Sequence, residues 1–382
     1  ATGCASATAC HHESQRDIPI SRVWASDHAG LLASRNNGRP GGHQGDFVRP
    51  SMNGASATSP VFLLSLPRSG STWLQRVLSC HPDVITTSES WILLPVLAGA
   101  RKDMIRARYG QRLCYSAMRD ALRPAEDAGE DDWKQAYFEG ARAFGQTLYQ
   151  RLGQGHRYYL DKCPRYVFIT DEIAQAFPDA KYIVIWRHPA AVAASIQKTW
   201  GNGAFRANHW EMDLHDGIKA LQRFSQRQDL DLCCVNYETL LAKPQETLQQ
   251  VGGHLDLTLD EELLQEAIEN KIPGRMGDPN RFSQSSVASE FSLEDTVAEF
   301  CENRFRRQWL LRYLQNLGGD TLAHMGYDLP QAERVIRATK VRGLGLMDSI
   351  SAKTYAFRRP LIRLLTRRTS NFEQLFFEEQ PS

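Results

Sequence analysis

The sequence predicts an α/β fold, a P-loop-like three-layer α/β/α arrangement with a mostly parallel central sheet and helical insertions. Three observations carry that expectation. Short apolar runs alternate along the chain with helical segments, the pattern of strands joined by crossover helices. The runs are continuous, as in Lys181-Tyr-Ile-Val-Ile-Trp186, and strands covered on both faces read that way. A Pro/Ser/Gly turn joins the first run directly to the first helical segment.

The elements follow in order. Val61 to Leu66, preceded by Pro60, reads as a buried strand. Pro67 to Gly70 breaks it, and Ser71 to Ser79 reads as a helix that ends before His81-Pro82. Residues 91–122 and 132–152 read as helices, the second with Trp133, Tyr137, Phe144 and Leu148 on one stripe. The acidic run Glu126 to Asp132 is a solvated turn between them. Tyr158 to Leu160 is a second strand, and Pro178 stops a helix over Ile169 to Phe177. Lys181 to Trp186 is the third strand. A helix over Pro189 to Trp200 follows, with its proline in the first turn. Asp231 to Val235 is the fourth strand; Thr239 to Leu255 and 294–317 are further helices.

Composition narrows the classes. Forty-five Lys and Arg stand against 44 Asp and Glu, a formal charge of +1. That balance excludes nucleic-acid binding through global positive charge. No stretch approaches the roughly 18–20 continuous apolar residues of a membrane span. With 42% hydrophobic residues the chain as a whole is too apolar to be disordered. The 8 cysteines form no C-x-x-C pair and no ladder of spacings, so they read as scattered reduced thiols. The first thirty residues hold no apolar stretch of secretory type. The expected compartment is the cytoplasm. Residues 1–59, rich in Ala, Ser, Gly, Asn and His, read as a mobile leader. Cys10, His11 and His12 lie in it, short of the roughly four ligands a closed zinc site needs, so no metal is expected. A single catalytic domain is expected over 60–330, with a basic extension over 331–382.

Leu66-Pro67-Arg68-Ser69-Gly70-Ser71-Thr72-Trp73 sits between the first strand and its helix. A helix N-terminus exposes unpaired N–H groups and the positive end of the macrodipole, so it collects phosphate. Gly70 lets the backbone approach an anion, Ser69, Ser71 and Thr72 add hydroxyls, and Arg68 adds a charge that grips oxyanions bidentately. The segment is not a Walker A loop, because Ser71 stands where that motif requires lysine. The usual grip on a nucleoside triphosphate with Mg²⁺ is therefore missing.

A second constellation lies at Arg187-His188-Pro189, after the strand 181–186, with Ser195 eight residues beyond Arg187. Ligands bind at the carboxyl ends of strands in open α/β sheets. An Arg at such an end and a Ser about two turns into the next helix can clamp one phosphate between them.

Together the two segments resemble the sulfotransferases that use 3′-phosphoadenosine 5′-phosphosulfate (PAPS). In that family a (Y/L)-P-(K/R)-S-G-(S/T)-(S/T) loop holds the 5′-phosphosulfate and an R-x-P-x₅-S stretch holds the 3′-phosphate. The resemblance runs from about Val61 to Pro330. It looks like the bacterial branch, with features shared with tyrosylprotein sulfotransferases. It implies that Arg68 to Thr72 hold the phosphosulfate and that Arg187 and Ser195 hold the 3′-phosphate. It also implies that Trp73 stacks on adenine and that Tyr237, in Asn236-Tyr-Glu-Thr-Leu240, adds a second adenine contact. The alternatives are a core Trp and a Tyr closing a core edge.

Sulfuryl transfer to a hydroxyl or amine needs a base for the acceptor proton and a cation near the bridging oxygen. Glu89 lies 21 residues after Arg68. Tyrosylprotein sulfotransferases share the P-R-S-G…H-P-D-V frame and carry their catalytic Glu at that spacing, so Glu89 is the expected base. The alternative is a Glu favouring a helix N-terminus. Asp161-Lys162-Cys163-Pro164 resembles the family stretch whose Lys approaches the bridging oxygen. Lys162 is the expected leaving-group cation, and Cys163 is packing. Arg275, in Ile272-Pro-Gly-Arg-Met-Gly-Asp-Pro279, is either part of a lid over the 3′-phosphate or a surface residue.

The resemblance implies one activity: PAPS gives its sulfuryl group to an acceptor hydroxyl or amine by in-line displacement. The acceptor is a carbohydrate, a phenol or a lipid, and the bacterial resemblance points to carbohydrate. Its pocket is expected from 91–152, 200–225 and 271–295, with Trp91, Trp200, Phe205 and Trp210 as aromatic walls. The competing readings are a P-loop-type kinase, which the missing Walker lysine opposes, and a silent nucleotide-binding protein, which Glu89 and Lys162 together oppose. Residues 334–368 carry nine net positive charges, with Asp348 the one acid. They form either an extra helix packed on the domain with a solvated basic face or an amphipathic segment on an anionic membrane.

Overall fold

The computed structural model describes residues 57–105, 111–122, 129, 131–274 and 291–366, with side chains to 358. The expected leader at 1–59 falls outside them except for its last three residues, and Arg275 falls outside them entirely.

Among the described residues, five strands form one parallel sheet in the order β2-β3-β1-β4-β5. They are β1 (Ser59–Leu64), β2 (Val84–Thr86), β3 (Tyr158–Lys162), β4 (Lys181–Trp186) and β5 (Asp231–Asn236). The helix α1 (Ser71–Leu78) follows β1. The helices α2 (Leu94–Leu97), α3 (Gln111–Leu122) and α4 (Trp133–Gly153) make the insertion between β2 and β3. Then come α5 (Thr170–Ala176), α6 (Pro189–Trp200), α7 (Ile218–Ser225), α8 (Tyr237–Ala242), α9 (Pro244–Leu255) and α10 (Glu262–Glu269). The chain continues with α11 (Leu293–Phe300), α12 (Arg304–Leu317), α13 (Gly319–His324), α14 (Leu329–Ala338) and α15 (Leu346–Thr366).

Strand alternation splits the core into two layers. Phe62, Leu64, Tyr159, Tyr182, Val184 and Trp186 face one side and pack with residues of α4 to α7 and α11 to α14. Val61, Leu63, Leu160, Ile183, Ile185 and Val235 face the other and pack with residues of α1 and α8 to α10. This is the expected three-layer α/β fold.

Several elements differ from expectation for local reasons. Val84–Thr86 is a strand of only three residues, too short to show a period; pairing with β3 supplies what the sequence pattern does not. The helix expected over Thr239 to Leu255 is two helices, because Pro244 removes the preceding residue from helical geometry and Lys243 sits at φ −138°, ψ 65°. The segment 294–317 is also two helices, the second capped by Asn303, whose side chain accepts from the Arg306 N–H. On α4 the buried stripe is Trp133, Phe138, Ala141, Gly145 and Tyr149. Phe144, expected on it, is exposed. Ala332 and Ile336 of α14 are fully buried in the first core layer, so the domain core continues past residue 330.

Candidate active site

The strand order turns about β1, with β3 and β2 on one side and β4 and β5 on the other. All five strands run in the same direction, so the segments after their carboxyl ends gather along one edge, where open parallel sheets bind ligands. Among the described residues, each one expected to do chemistry lies on one of those segments, on the first helix after it or, for Lys162, at the last position of its strand.

The loop after β1 is built on a left-handed turn. Gly70 caps α1 at φ 85°, ψ 4°, which glycine adopts without strain. A β-carbon there would also overlap the Tyr237 ring, so the position needs glycine twice over. Arg68 takes φ 68° without that freedom, and such outliers persist only where the surroundings enforce them. The Ser65 hydroxyl donates to Ser71 Oγ at 2.8 Å, and the Ser69 N–H closes a turn on the Leu66 carbonyl at 3.3 Å. Both Ser69 and Ser71 are buried. Trp73 is 1% exposed and packs in the second core layer with no open face. The structure thus places Trp73 on the inward face of α1, in the core layer that its alternative reading describes.

Alternation on β3 sends adjacent residues to opposite faces. Lys162 faces α1. Its Nζ donates to Glu89 Oε1 at 3.0 Å and to Thr72 Oγ1 at 3.3 Å. Lys162 is 2% exposed at its side chain and Glu89 14%, so the ion pair is largely shielded from water. Glu89 Oε2 accepts from Trp91 Nε1 at 3.2 Å. Trp91 is 39% exposed and sits at φ 54°, a second non-glycine residue in the left-handed region. The expected base, the expected cation and the anion loop are therefore joined in one chain of contacts.

Asp161 points the other way, into the α4 layer. It is buried and accepts from Ser90 Oγ at 2.7 Å, Tyr149 Oη at 2.7 Å and Tyr166 Oη at 2.9 Å. Burial pushes its carboxyl up, against those hydrogen bonds. Tyr166 Oη also accepts from the Leu93 N–H at 3.2 Å, so the network holds the turn Ser90–Leu93, which carries Trp91 and follows Glu89 directly. Sequence reading missed Asp161. The available signal was an acid inside an otherwise apolar strand, which must find partners if it is buried. Burial pushes the Cys163 thiol up to about 12, which leaves it a packing residue.

On the other side of β1, Arg187 and Ser195 do not meet each other directly; Arg68 lies between them. Arg187 Nη1 donates to the Arg68 carbonyl at 2.8 Å, and Arg68 Nε donates to Ser195 Oγ at 3.0 Å. Arg187 lies over the Tyr237 ring at 4.8 Å, and Arg68 lies over Trp200 at 5.8 Å, both within cation–π range. Arg187 Nε is buried with no hydrogen-bond partner among the described residues. The next residue, His188, caps α6 by accepting from the Ala190 N–H at 3.1 Å. Desolvation, then the Arg187 charge, lower its pKa to about 4, so the ring is neutral near pH 7. The His188 backbone N–H donates to Glu238 Oε1 at 2.9 Å, and Glu238 Oε2 accepts from Tyr327 Oη at 2.5 Å. Tyr237 is buried between Gly70 and Arg187.

Around this centre, Trp200 and Trp210 stack at 4.3 Å, and Arg165 lies over Trp210 at 5.6 Å. Phe205, expected as a wall, is instead a core residue, fully buried against Phe305 and Trp309. The Ser88 N–H, one residue before Glu89, donates to the Pro273 carbonyl at 2.6 Å, so the segment leading to Arg275 starts beside the candidate base. Among the described residues no group of three His, Cys, Asp or Glu stands close enough to hold a metal ion.

One edge of the parallel sheet thus gathers a helix N-terminus after the first strand, cations at neighbouring strand ends and a carboxylate beside them, an arrangement that group-transfer chemistry can use. The family comparison makes that specific. The model of the sulfotransferase family matches residues 60–261, more than half of the chain, and the protein belongs to that family. The chain is 34% identical over 142 residues to the nodulation protein NoeE of Sinorhizobium fredii, a match covering 37% of this chain and 31% of that protein. It is 23% identical over 266 residues to protein-tyrosine sulfotransferase 1 of Danio rerio, covering 68% and 67%. The matched part is thus about a third of the first relative and two thirds of the second. Among solved structures, the sulfotransferase domain of the Synechococcus PCC 7002 olefin synthase matches with 25% identity, over 58% of this chain and 82% of that domain, at a TM-score of 0.42.

Proposed function

We propose that this transferase moves a sulfuryl group from PAPS to an acceptor hydroxyl, with Glu89 as base, in a catalytic domain that extends from 60 to at least 330. The observation that carries the reading is the chain Glu89–Lys162–Thr72, which ties a carboxylate to the anion loop through one buried cation at 3.0 and 3.3 Å.

The residues fit such a donor. Among the described residues Arg187 Nε is a buried donor without a hydrogen-bond partner, and the left-handed turn at Gly70 opens the N-terminus of α1. When bound, PAPS supplies a sulfuryl group on a good leaving group. Arg68, Ser69, Gly70, Ser71 and Thr72, with the α1 N-terminus, would hold the 5′ end. Arg187 would hold the 3′-phosphate directly, and Ser195 would act by fixing the Arg68 guanidinium. Tyr237 supports the Arg187 charge by its ring face. Glu89 takes the acceptor proton on Oε2, the oxygen that Trp91 orients. Lys162 turns its charge toward the bridging oxygen as negative charge develops there. These cations and donors do the work without a metal. The relatives named protein-tyrosine sulfotransferases support a hydroxyl acceptor, and the carbohydrate expectation is one case of it. Among the described residues no helix is long and apolar enough to cross a membrane, and the free thiols support a reducing compartment such as the cytoplasm.

The test is calorimetry of the whole chain with adenosine 3′,5′-bisphosphate, 5′-AMP and ATP. The expected result is clear preference for the bisphosphate. Preference for ATP, or indifference to the 3′-phosphate, overturns the reading in favour of a kinase or a different nucleotide.

A further inference from the structure

Helix α15 is attached to the domain by its polar side. Asp348 is buried and accepts from Arg306 Nε and Asn303 Nδ2, both at 2.7 Å. The Ser351 hydroxyl donates to the Phe205 carbonyl at 3.4 Å, and Tyr355 stacks on His209 at 3.8 Å. At about 3.6 residues per turn, Leu346, Ile350 and Phe357 fall together on the opposite face, with Met347 at its edge. These four side chains are 58 to 80% exposed, and Leu344, just before the helix, is 61% exposed.

The exposed charges on this segment of the chain have one sign. Lys340, Arg342, Lys353 and Arg358 are exposed. From Arg334 to Arg358 the one acid is Asp348, which is turned inward. The sequence adds Arg359, Arg363, Arg367 and Arg368. A helix packed on a soluble domain ordinarily buries its apolar stripe and shows water its polar one. Here the inward contacts are an ion pair, hydrogen bonds, a ring stack and the small Ala352 side chain, and the large apolar residues are outward.

We propose that the outward face of α15 docks on an anionic lipid bilayer, with the helix lying in the interface. The apolar stripe would enter the headgroup boundary while the flanking Lys and Arg meet the negative surface. The contact is modest in apolar area, so binding is reversible and depends on charge.

The experiment is co-sedimentation of the full chain with vesicles of phosphatidylcholine alone and of phosphatidylcholine with phosphatidylserine. Sedimentation is expected with the anionic vesicles only, and raised salt should release it. The double variant Ile350→Glu/Phe357→Glu should lower partitioning at least about tenfold, since both side chains lose apolar insertion. Lys353→Gln/Arg358→Gln should lower it by a similar factor, at about fivefold per charge. All four positions are exposed, so thermal unfolding should be unchanged and confirms that the variants fold. Equal binding to neutral vesicles, or no binding to either, overturns the proposal. So does a lipid-free dimer that Ile350→Glu/Phe357→Glu dissociates, because a second copy would then cover this face. The assay involves no sulfuryl transfer, so its failure leaves the catalytic reading untouched.

Discussion

The two sides of the anion loop hold their cations differently. On the β3 side, Lys162 is paired with a carboxylate, Glu89, at 3.0 Å. On the β4 side, Arg187 is held by neutral groups: the Arg68 carbonyl and the Tyr237 ring. A cation with a carboxylate partner can exchange that partner for developing charge, and in doing so release the carboxylate to take a proton. A cation held by a carbonyl and a ring keeps its charge for a ligand that is anionic throughout. The first arrangement suits the reacting end of a donor and the second suits its anchor. The difference also separates turnover from affinity, and that separation can be measured.

The largest effect is expected from Glu89→Gln. It keeps size and hydrogen bonding but cannot accept the proton, so turnover should fall about 10²–10⁴-fold while calorimetry shows bisphosphate affinity retained. Retained turnover would move the base elsewhere and break the contrast at its reacting end. Arg187→Ala attacks the anchor. It should weaken adenosine 3′,5′-bisphosphate by roughly ten- to a hundredfold, the worth of a charge-assisted hydrogen bond, and leave 5′-AMP unchanged. An equal loss for both nucleotides would show that Arg187 serves the loop and not the 3′-phosphate.

Asp161→Asn sharpens the reacting side. Asn offers one acceptor oxygen where the carboxylate serves three hydroxyls, so the turn after Glu89 loosens. We expect kcat to fall about tenfold, with bisphosphate affinity unchanged. Loss of donor affinity together with kcat would make the network merely structural.

The smallest effect is on stability. His188 has a folded pKa near 4 against the usual 6.5, so between those values the unfolded chain binds a proton that the folded chain refuses. Stability therefore falls as pH drops through that window, by at most roughly 3 kcal/mol for this group. His188→Asn keeps a cap acceptor and removes the titration. Its stability, measured by denaturant unfolding across the window, should depend less on pH than that of the parent. An unchanged slope would place the acid sensitivity in another group.

Much of the fold was legible because continuous β-branched runs and crossover helices leave few alternatives. The sheet edge was not. A three-residue strand such as Val84–Thr86 carries no pattern of its own and exists because β3 lies beside it. Motif and spacing singled out Arg68, Gly70, Glu89, Lys162 and Arg187, and the structure brings them to one edge of the sheet. Their contacts were not legible, because spacing gives distance along the chain and not across strands. Spacing suggested that Ser195 and Arg187 could share a phosphate, but it did not show that Ser195 Oγ accepts from Arg68 Nε or that Trp73 packs in the second core layer.

The sequence by itself determined the four longer strands, the turn between β1 and α1 and the types of residue at those strand ends, since all of these are local in the chain. Tertiary structure alone decided three things. It paired Lys162 with Glu89 across 73 residues, it buried Asp161 on the opposite face from its neighbour, and it turned the apolar stripe of α15 outward. Each depends on what packs against a face, and a one-dimensional pattern does not encode that.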